Sequence, residues 1–437
     1  MVDLKRFAAS PILIGGGDRG DQDAKLVKLL FVVPYAPNLI RVRPYQLIRH
    51  LVARGHQVTL LTLWSEPREQ GELAVFQGYG LELHAFRLLP GRSMWNCIWA
   101  LPTRLPLQSV YCWQPAMARQ AVELIDGRDG RPAYDAIHVE HLRGARYGIH
   151  LKAHLQRSQV RVPIIWDSVD SISHLFNQAA EQSQGSWRRW IARFELHRTQ
   201  RYEGWLARQF ARVLVTSPVD RQAFLSLVPL GESSPAISVL PNGVDLEYFR
   251  PASQEQREPT TLVLSGKMSY HANISMATYL VSEIMPLVWA QRPDVRLVIA
   301  GKDPPTSLKE LASNPAVTVT GALADIRPCL QQAALALAPL TYGAGISNKI
   351  LEAMACATPV IATTRAISGL KARPGEDLLI ADTSVDFAGA VLDLLADPQY
   401  RCQIGLAGRR YVETHHRWDD VACQLEEIYQ SALDILP

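Results

Sequence analysis

Leu340–Thr363 reads LTYGAGISNKILEAMACATPVIAT, and its order of loop, helix and strand decides the fold class. Gly343 and Gly345 break the loop, with Ala344 between them and Ile346 after them. Ser347 and Asn348 then open a helix that carries Lys349 and Glu352, and Pro359–Ala362 follows as a short apolar strand. Glycines let a backbone approach phosphate oxygens, and a helix start offers unpaired N–H groups at a positive dipole end. Lys349 adds a point charge. Glu352, three residues on, shares its helical face and can accept two hydrogen bonds from sugar or ribose hydroxyls. This is what holding a diphosphate without a metal requires. An amphipathic helix capped by glycine and serine would read the same way.

Outward from this stretch, short apolar runs alternate with helical periodicity. Lys28–Pro34 is a buried-strand run, Tyr45–Arg54 is helical and stopped by Gly55, and Gln57–Leu63 is the next strand. A strand, helix and strand in that order imply a parallel sheet. Ala136–Val139, Pro163–Trp166 and Val213–Thr216 continue it, and Trp187–Gln209 reads as a long arginine-rich helix. The second half repeats the alternation. Leu262–Ser265, Val295–Ala300, Val317–Thr320, Leu335–Pro339 and Val360–Thr363 read as strands, and Ile274–Gln291, Leu308–Ser313 and Ile326–Ala333 as helices. The expected architecture is α/β, with two doubly wound Rossmann-like domains facing a cleft. Residues 1–24 form a flexible lead, 25–250 an acceptor-binding domain, 251–259 a polar linker, and 260–417 a nucleotide-sugar-binding domain. Residues 418–437 form a helix packing back across the hinge.

At 437 residues the chain is too long for one core. Hydrophobic residues at 48% and charged residues at 20% are ordinary for a globular enzyme. No apolar run approaches the roughly 20 residues of a membrane span. The N-terminus fits no secretory signal, and the six cysteines show no metal-ligand spacing, so a cytoplasmic location is expected. Gly15–Gly20 formally matches GxGxxG, but no full strand precedes it and no helix opens after it. The net charge of +3 is uneven. Residues 1–245 hold 29 Lys/Arg against 21 Asp/Glu, and acidic residues lead in the remainder. A basic first half suits an anionic lipid or acceptor, and equally a merely soluble surface.

Several motifs, in order, resemble those of family 4 glycosyltransferases of the two-Rossmann-domain type. Val239-Leu240-Pro241-Asn242-Gly243-Val244-Asp245, with Phe249 and Pro251, is similar to the family's domain-crossing VxPNGVDxxxFxP segment. Leu297–Gly301 resembles its LVIAG strand, and Ile350–Ala355 with Pro359–Ala362 resembles its LEAMAxGxPVIA signature. Gly55–Leu60 resembles the RGHEVTL of the first half. The sequence departs from the pattern in places. Glu352 keeps the second of a usual glutamate pair, whose first member falls on Ala344. Lys267 keeps one basic position, while its usual lysine partner falls on Ala272.

The resemblance implies transfer of a sugar from a nucleotide-diphosphate donor, with retention, and no metal or other cofactor. Lys267, Lys349, Glu352 and His141 are the expected catalytic residues. Gly266, Gly301, Gly321, Asp325, Gly343, Ala344, Gly345, Ile346, Ser347 and Asn348 would line the donor. Arg41, Arg43, Glu140, Asp167 and Asp170 stand on the acceptor side, with the two arginines free to face an anion. A buried histidine, helix-capping aspartates and surface-loop arginines are the plain alternatives. Met94–Tyr111, MWNCIWALPTRLPLQSVY, is unusually apolar and aromatic, suiting a core helix, a membrane surface or a groove for a lipid-linked acceptor. The expected partners are a nucleotide sugar, a glycan or lipid-linked acceptor and a peripheral membrane contact, with no nucleic acid. The function expected is assembly of a cell-surface glycan. A nucleotide-sugar 2-epimerase on the same fold and a non-catalytic nucleotide-binding scaffold remain open.

Overall fold

A computed structural model describes residues 26–126, 132–182, 186–229, 233–253, 257–342 and 347–434, with side chains of 179–192 excepted. The 1–24 lead, its Gly15–Gly20 motif, and Gly343, Ala344, Gly345 and Ile346 lie outside the described residues.

The chain forms two compact units, residues 1–240 with 421–437, and residues 241–420. In the first, seven strands make one sheet. They are β1 (Lys28–Val33), β2 (Gln57–Trp64), β3 (Glu82–Arg87), β4 (Ala136–Glu140), β5 (Ile164–Val169), β6 (Arg212–Val215) and β7 (Ile237–Val239). Their order is β3-β2-β1-β4-β5-β6-β7, with every pairing parallel. β1, β4 and β5 are buried along almost their whole length, as expected of strands covered by helices on both faces. Order reverses between β1 and β4, which pair Phe31 with His138 and Val32 with Val139. Ligands in such sheets bind past the strand ends at this reversal.

The second unit repeats the plan with β8 (Glu258–Ser265), β9 (Arg296–Ala300), β10 (Val317–Val319), β11 (Ala333–Ala338), β12 (Val360–Ala362) and β13 (Leu379–Ile380). Their order is β10-β9-β8-β11-β12-β13, again all parallel, with the reversal between β8 and β11.

Three strands escape the sequence reading. β3 lies at the sheet edge with mixed burial, β7 has three residues and β13 two, so none shows an apolar run. The helix expected over Ile274–Gln291 is His271–Tyr279, a π-helical turn Leu280–Ile284, and Met285–Trp289. Pro286 lacks an N–H and its ring crowds the preceding turn, and the widened turn accommodates it.

The domain boundaries also differ from the 251–259 linker. The chain changes units at Leu240/Pro241 because Pro241–Pro251 is bonded into the second unit. Val244 N–H donates to the His416 carbonyl at 2.7 Å, and Arg409 donates to the Phe249 carbonyl at 2.7 Å. A Cβ on Gly243 would lie 2.7 Å from the Trp418 ring, which explains the glycine in the PNGVD segment. Strand β8 begins at Glu258, inside the expected linker. The C-terminal helix Trp418–Asp434 carries Glu426, which accepts from Arg54 at 2.6 and 2.8 Å within the first unit.

Candidate active site

In the second unit, Ser265 pairs with Ala300, so Gly266 and Gly301 lie side by side just past β8 and β9. Their φ values are +146° and +154°. A Cβ on Gly301 would fall 1.7 Å from the Gly266 carbonyl oxygen, so two backbones meet where no side chain fits. Gly301 N–H donates to Thr320 Oγ1 at 3.3 Å, and Thr320 Oγ1 donates to the Gly321 carbonyl at 3.0 Å. The ends of β8, β9 and β10 are thereby joined, with Gly321 at φ +68°.

Facing Gly266 is the helix Asn348–Ala355. The Ser347 side chain makes no capping hydrogen bond at its start, and Ile350 N–H donates to the Ser347 carbonyl at 2.9 Å. Asn348 Oδ1 accepts from Asn242 Nδ2 at 3.1 Å, tying the PNGVD segment to the helix start. Lys349 donates from Nζ to Asn273 Oδ1 at 2.8 Å, and Asn273 Nδ2 donates to the Lys267 carbonyl at 2.9 Å. Asn273 therefore links the Lys349 helix to the loop after β8. Burial pushes Lys349 down to about 8, opposed by Glu352, and burial pushes Glu352 up to about 7, opposed by Lys349. A half-buried cation with a softened hold on its proton is poised for an anion that would restore it. The Lys267 side chain is exposed at the same loop.

The chain before 343 is pinned as well. Tyr342 stacks on His271 with ring centroids 5.3 Å apart, and its hydroxyl meets His271 Nδ1 at 2.7 Å. Asp325, expected among donor contacts, is held by Arg327 and by the Tyr248 hydroxyl. Burial opposes its ionisation, yet hydrogen bonds from Arg327 keep the carboxyl below its usual range.

In the first unit a polar cluster sits at the β1–β4 reversal. Asp167 is fully buried and accepts from Arg43 Nε at 2.8 Å and Nη2 at 3.2 Å, while Arg43 Nη1 donates to the Leu240 carbonyl at 3.0 Å. The sequence reading left Arg43 open to an anion; it is instead a buried ion-pair partner. Arg41 is half-exposed, pairs with Glu69 at 2.9 Å and lies over the Tyr35 ring. Glu140 ends β4, fully buried, and accepts from the Tyr35 hydroxyl at 3.0 Å. Its other oxygen meets no partner among the described residues. Burial, then the Asp167 charge, push Glu140 up to about 8. Asp170 accepts from Thr216 at 3.1 Å, and burial and Asp220 push it up to about 7.

His141 follows Glu140 with φ +62°, a left-handed conformation uncommon outside glycine, though histidine takes it more readily than most residues. Trp166 Nε1 donates to its carbonyl at 3.2 Å, and burial pushes its imidazole down to about 3. It is neutral at ordinary pH. His138, unnoticed as a site residue in the sequence, is buried beneath. Its Nδ1 meets the Tyr429 hydroxyl at 2.8 Å and its Nε2 lies 3.6 Å from Asp167. Ligand atoms of His138, Glu140 and Asp167 fall within 4.8 Å of one another, a spacing that could hold a metal ion. Arg43 already brings positive charge to the Asp167 carboxylate there.

Residues 40–243 match the family model described as Glycosyl transferase 4-like domain, and residues 259–397 the model described as Glycosyl transferases group 1. The chain belongs to the family 4-like glycosyltransferases. The chain is 32% identical over 227 residues to the GDP-mannose-dependent monoacylated alpha-(1-6)-phosphatidylinositol monomannoside mannosyltransferase of Corynebacterium glutamicum. That match covers 46% of this chain and 57% of the relative. The chain spans little more than half the length of the curated relatives it matches. Sucrose-phosphate synthase from Thermosynechococcus elongatus matches at TM-score 0.64 and 19% identity, over 93% of this chain and 99% of that one. Anabaena Alr3699/HepE in complex with UDP matches at TM-score 0.64 and 15% identity, over 92% of this chain and 100% of that one. At such identities these likenesses establish the fold alone, that of two-Rossmann-domain glycosyltransferases.

Gly266, Gly301, Ser347, Asn348, Lys349 and Glu352 lie near the β8–β11 reversal, with Lys267 exposed on the loop after β8, and Gly321 stands at the sheet edge past β10, joined to Gly301 through Thr320. Glu140, His141, Asp167 and Asp170 gather in the first unit. Asn273, Tyr35, His138 and Tyr429 were missed. Asn273 stands directly after Ala272, but nothing in its spacing shows that its amide returns to the Lys267 carbonyl.

Proposed function

We propose that the protein moves a sugar from a nucleotide-diphosphate donor to a lipid-linked or glycan acceptor, with retention at the anomeric carbon and without a metal. The observation that carries this reading is the Asn273-held Lys349, with Glu352, beside the glycine-only contact of Gly266 and Gly301. A departing diphosphate develops negative charge, and preorganised donors aimed at it lower the barrier most. Lys349 and the positive end of the Asn348–Ala355 helix supply such donors. Glu352 accepts from donor hydroxyls. The leaving phosphate can itself take the acceptor proton, so the route needs no enzymic base.

Tyr35, Glu140 and His141 are the residues of the first unit that would meet the acceptor and the transferred sugar. The Corynebacterium relative acts, by its name, on a phosphatidylinositol monomannoside with GDP-mannose. A lipid-linked acceptor is therefore favoured over a soluble glycan, and a guanosine donor is the first to try. The work would be done at the cytoplasmic face of a membrane, in building a surface glycan.

The test is incubation in EDTA with GDP-mannose, UDP-glucose and their counterparts, with and without a bacterial lipid extract, followed by NMR of the product linkage. Acceptor-dependent transfer with an unchanged anomeric configuration supports the reading. Release of a free sugar isomer without acceptor would turn it toward an epimerase. Nucleotide binding with no turnover on any acceptor would turn it toward a scaffold.

A further inference from the structure

The helix Pro90–Ala100 buries one face and leaves the other bare. Ser93, Asn96 and Ala100 point inward, and Asn96 Nδ2 donates to the Trp113 carbonyl at 2.8 Å. Arg198, itself buried, donates from Nη2 to the carbonyls of Ala100 and Thr103, both at 2.6 Å. Glu195 accepts from Leu107 N–H at 2.9 Å and pairs with Arg198 at 3.0 Å. Helix and following loop are thus held firmly from beneath, so the bare face is not a loosely packed core.

On that face Met94, Trp95, Ile98, Trp99 and Leu101 are each more than half exposed. The two indoles meet edge to face at 5.8 Å. Isolated exposed apolar residues are common, but five on one helix end, two of them tryptophan, make a patch that marks an interaction surface. The chain segment that carries it is one-sided in charge, the Glu195 carboxylate beneath it being paired with Arg198. Residues 83–122 contain no Asp or Glu, while Arg87, Arg92, Arg104 and Arg119 fall within them. Arg104 is exposed in the loop that follows the patch.

We propose that this face docks the protein onto an anionic phospholipid bilayer, with Trp95 and Trp99 seated at headgroup depth. The inference rests on the lipid-linked-acceptor reading above and names the surface that would bring the enzyme to such an acceptor. Indole rings favour the interfacial zone, and an arginine-bearing strip without carboxylates is attracted to anionic headgroups. With 11 residues the helix is too short to span a bilayer and lies in its plane. Among the described residues no helix is long and apolar enough to cross a membrane.

The test is flotation of the full chain with vesicles of phosphatidylcholine mixed with phosphatidylglycerol, and with phosphatidylcholine alone. The wild type binds the mixed vesicles. A Trp95→Ser/Trp99→Ser variant binds them about tenfold less or weaker still. Arg104→Glu loses about fivefold on the mixed vesicles and little on the neutral ones. Val385→Ser, which removes an exposed apolar side chain of the second unit, binds as the wild type does. Melting temperature and nucleoside-diphosphate binding stay unchanged in all three. The proposal is overturned if the wild type does not float with mixed vesicles, or if the double variant floats equally well. It is also overturned if sedimentation finds a dimer that the tryptophan substitutions dissolve, which assigns the face to a second copy. Nucleotide binding without flotation removes the surface and leaves the enzymatic reading. Flotation with no nucleotide binding does the reverse.

Discussion

Asn273 and Lys349 are joined at 2.8 Å, and the same amide reaches the Lys267 carbonyl at 2.9 Å. One uncharged side chain thus sets where the half-buried ammonium points relative to the loop after β8. Asn273→Ala should lower turnover by about tenfold or more by releasing that ammonium from its fixed geometry. Steady-state rates with the preferred donor check this, alongside a melting curve showing the variant folded. Wild-type turnover would show that Lys349 needs no such support.

Lys349→Ala and Glu352→Ala remove the groups themselves. Each should cost on the order of 100-fold in turnover. Single-turnover measurements on protein with an unchanged circular dichroism spectrum check it. Full activity in both variants would remove the donor-site assignment.

Lys349 also makes a pH prediction. In the free protein it releases its proton near 8, against 10.5 for an ordinary lysine. A diphosphate binds the protonated form, so affinity should fall as pH rises above about 8, with proton uptake on binding. The folding term runs the other way: the unfolded chain holds more protons between about 8 and 10.5, so this group makes stability rise with pH there. Calorimetric titrations in buffers of different ionisation enthalpy separate the two. Lys349→Arg, charged throughout, should lose the slope.

Arg43 divides a structural role from a binding one. Arg43→Ala leaves Asp167 buried without its cation and should destabilise the protein by about 3–5 kcal/mol. Denaturant unfolding measures this. A variant as stable as the wild type would mean the arginine is free to serve an anion, as its place in the sequence allowed.

Much of this was legible from the residues. LLFVV, LVIA and ALALA announced buried parallel strands because they have no polar face to show. Lys349 and Glu352 stood out in the loop-helix-strand pattern and Gly266 and Gly301 through the family resemblance, and the structure places Gly266 against Gly301 and Lys349. Glu82–Arg87 was not, since an edge strand buries too little to need an apolar run. Arg43 read as a loop cation because its partner, Asp167, stands 124 residues away. The contact between Tyr429 and His138 spans 291 residues, beyond any local pattern.

Under the proposed function the second unit holds a nucleoside diphosphate through Lys349 without a metal. A thermal-shift series in EDTA with GDP, UDP, ADP and dTDP, on wild type and Lys349→Ala, tests it most directly. At 100 times its dissociation constant a ligand adds about 2.7 kcal/mol of stability, which such a scan resolves. One diphosphate should raise the melting temperature of the wild type and leave the variant unmoved. No shift with any of the four, or an equal shift in both proteins, would contradict the account.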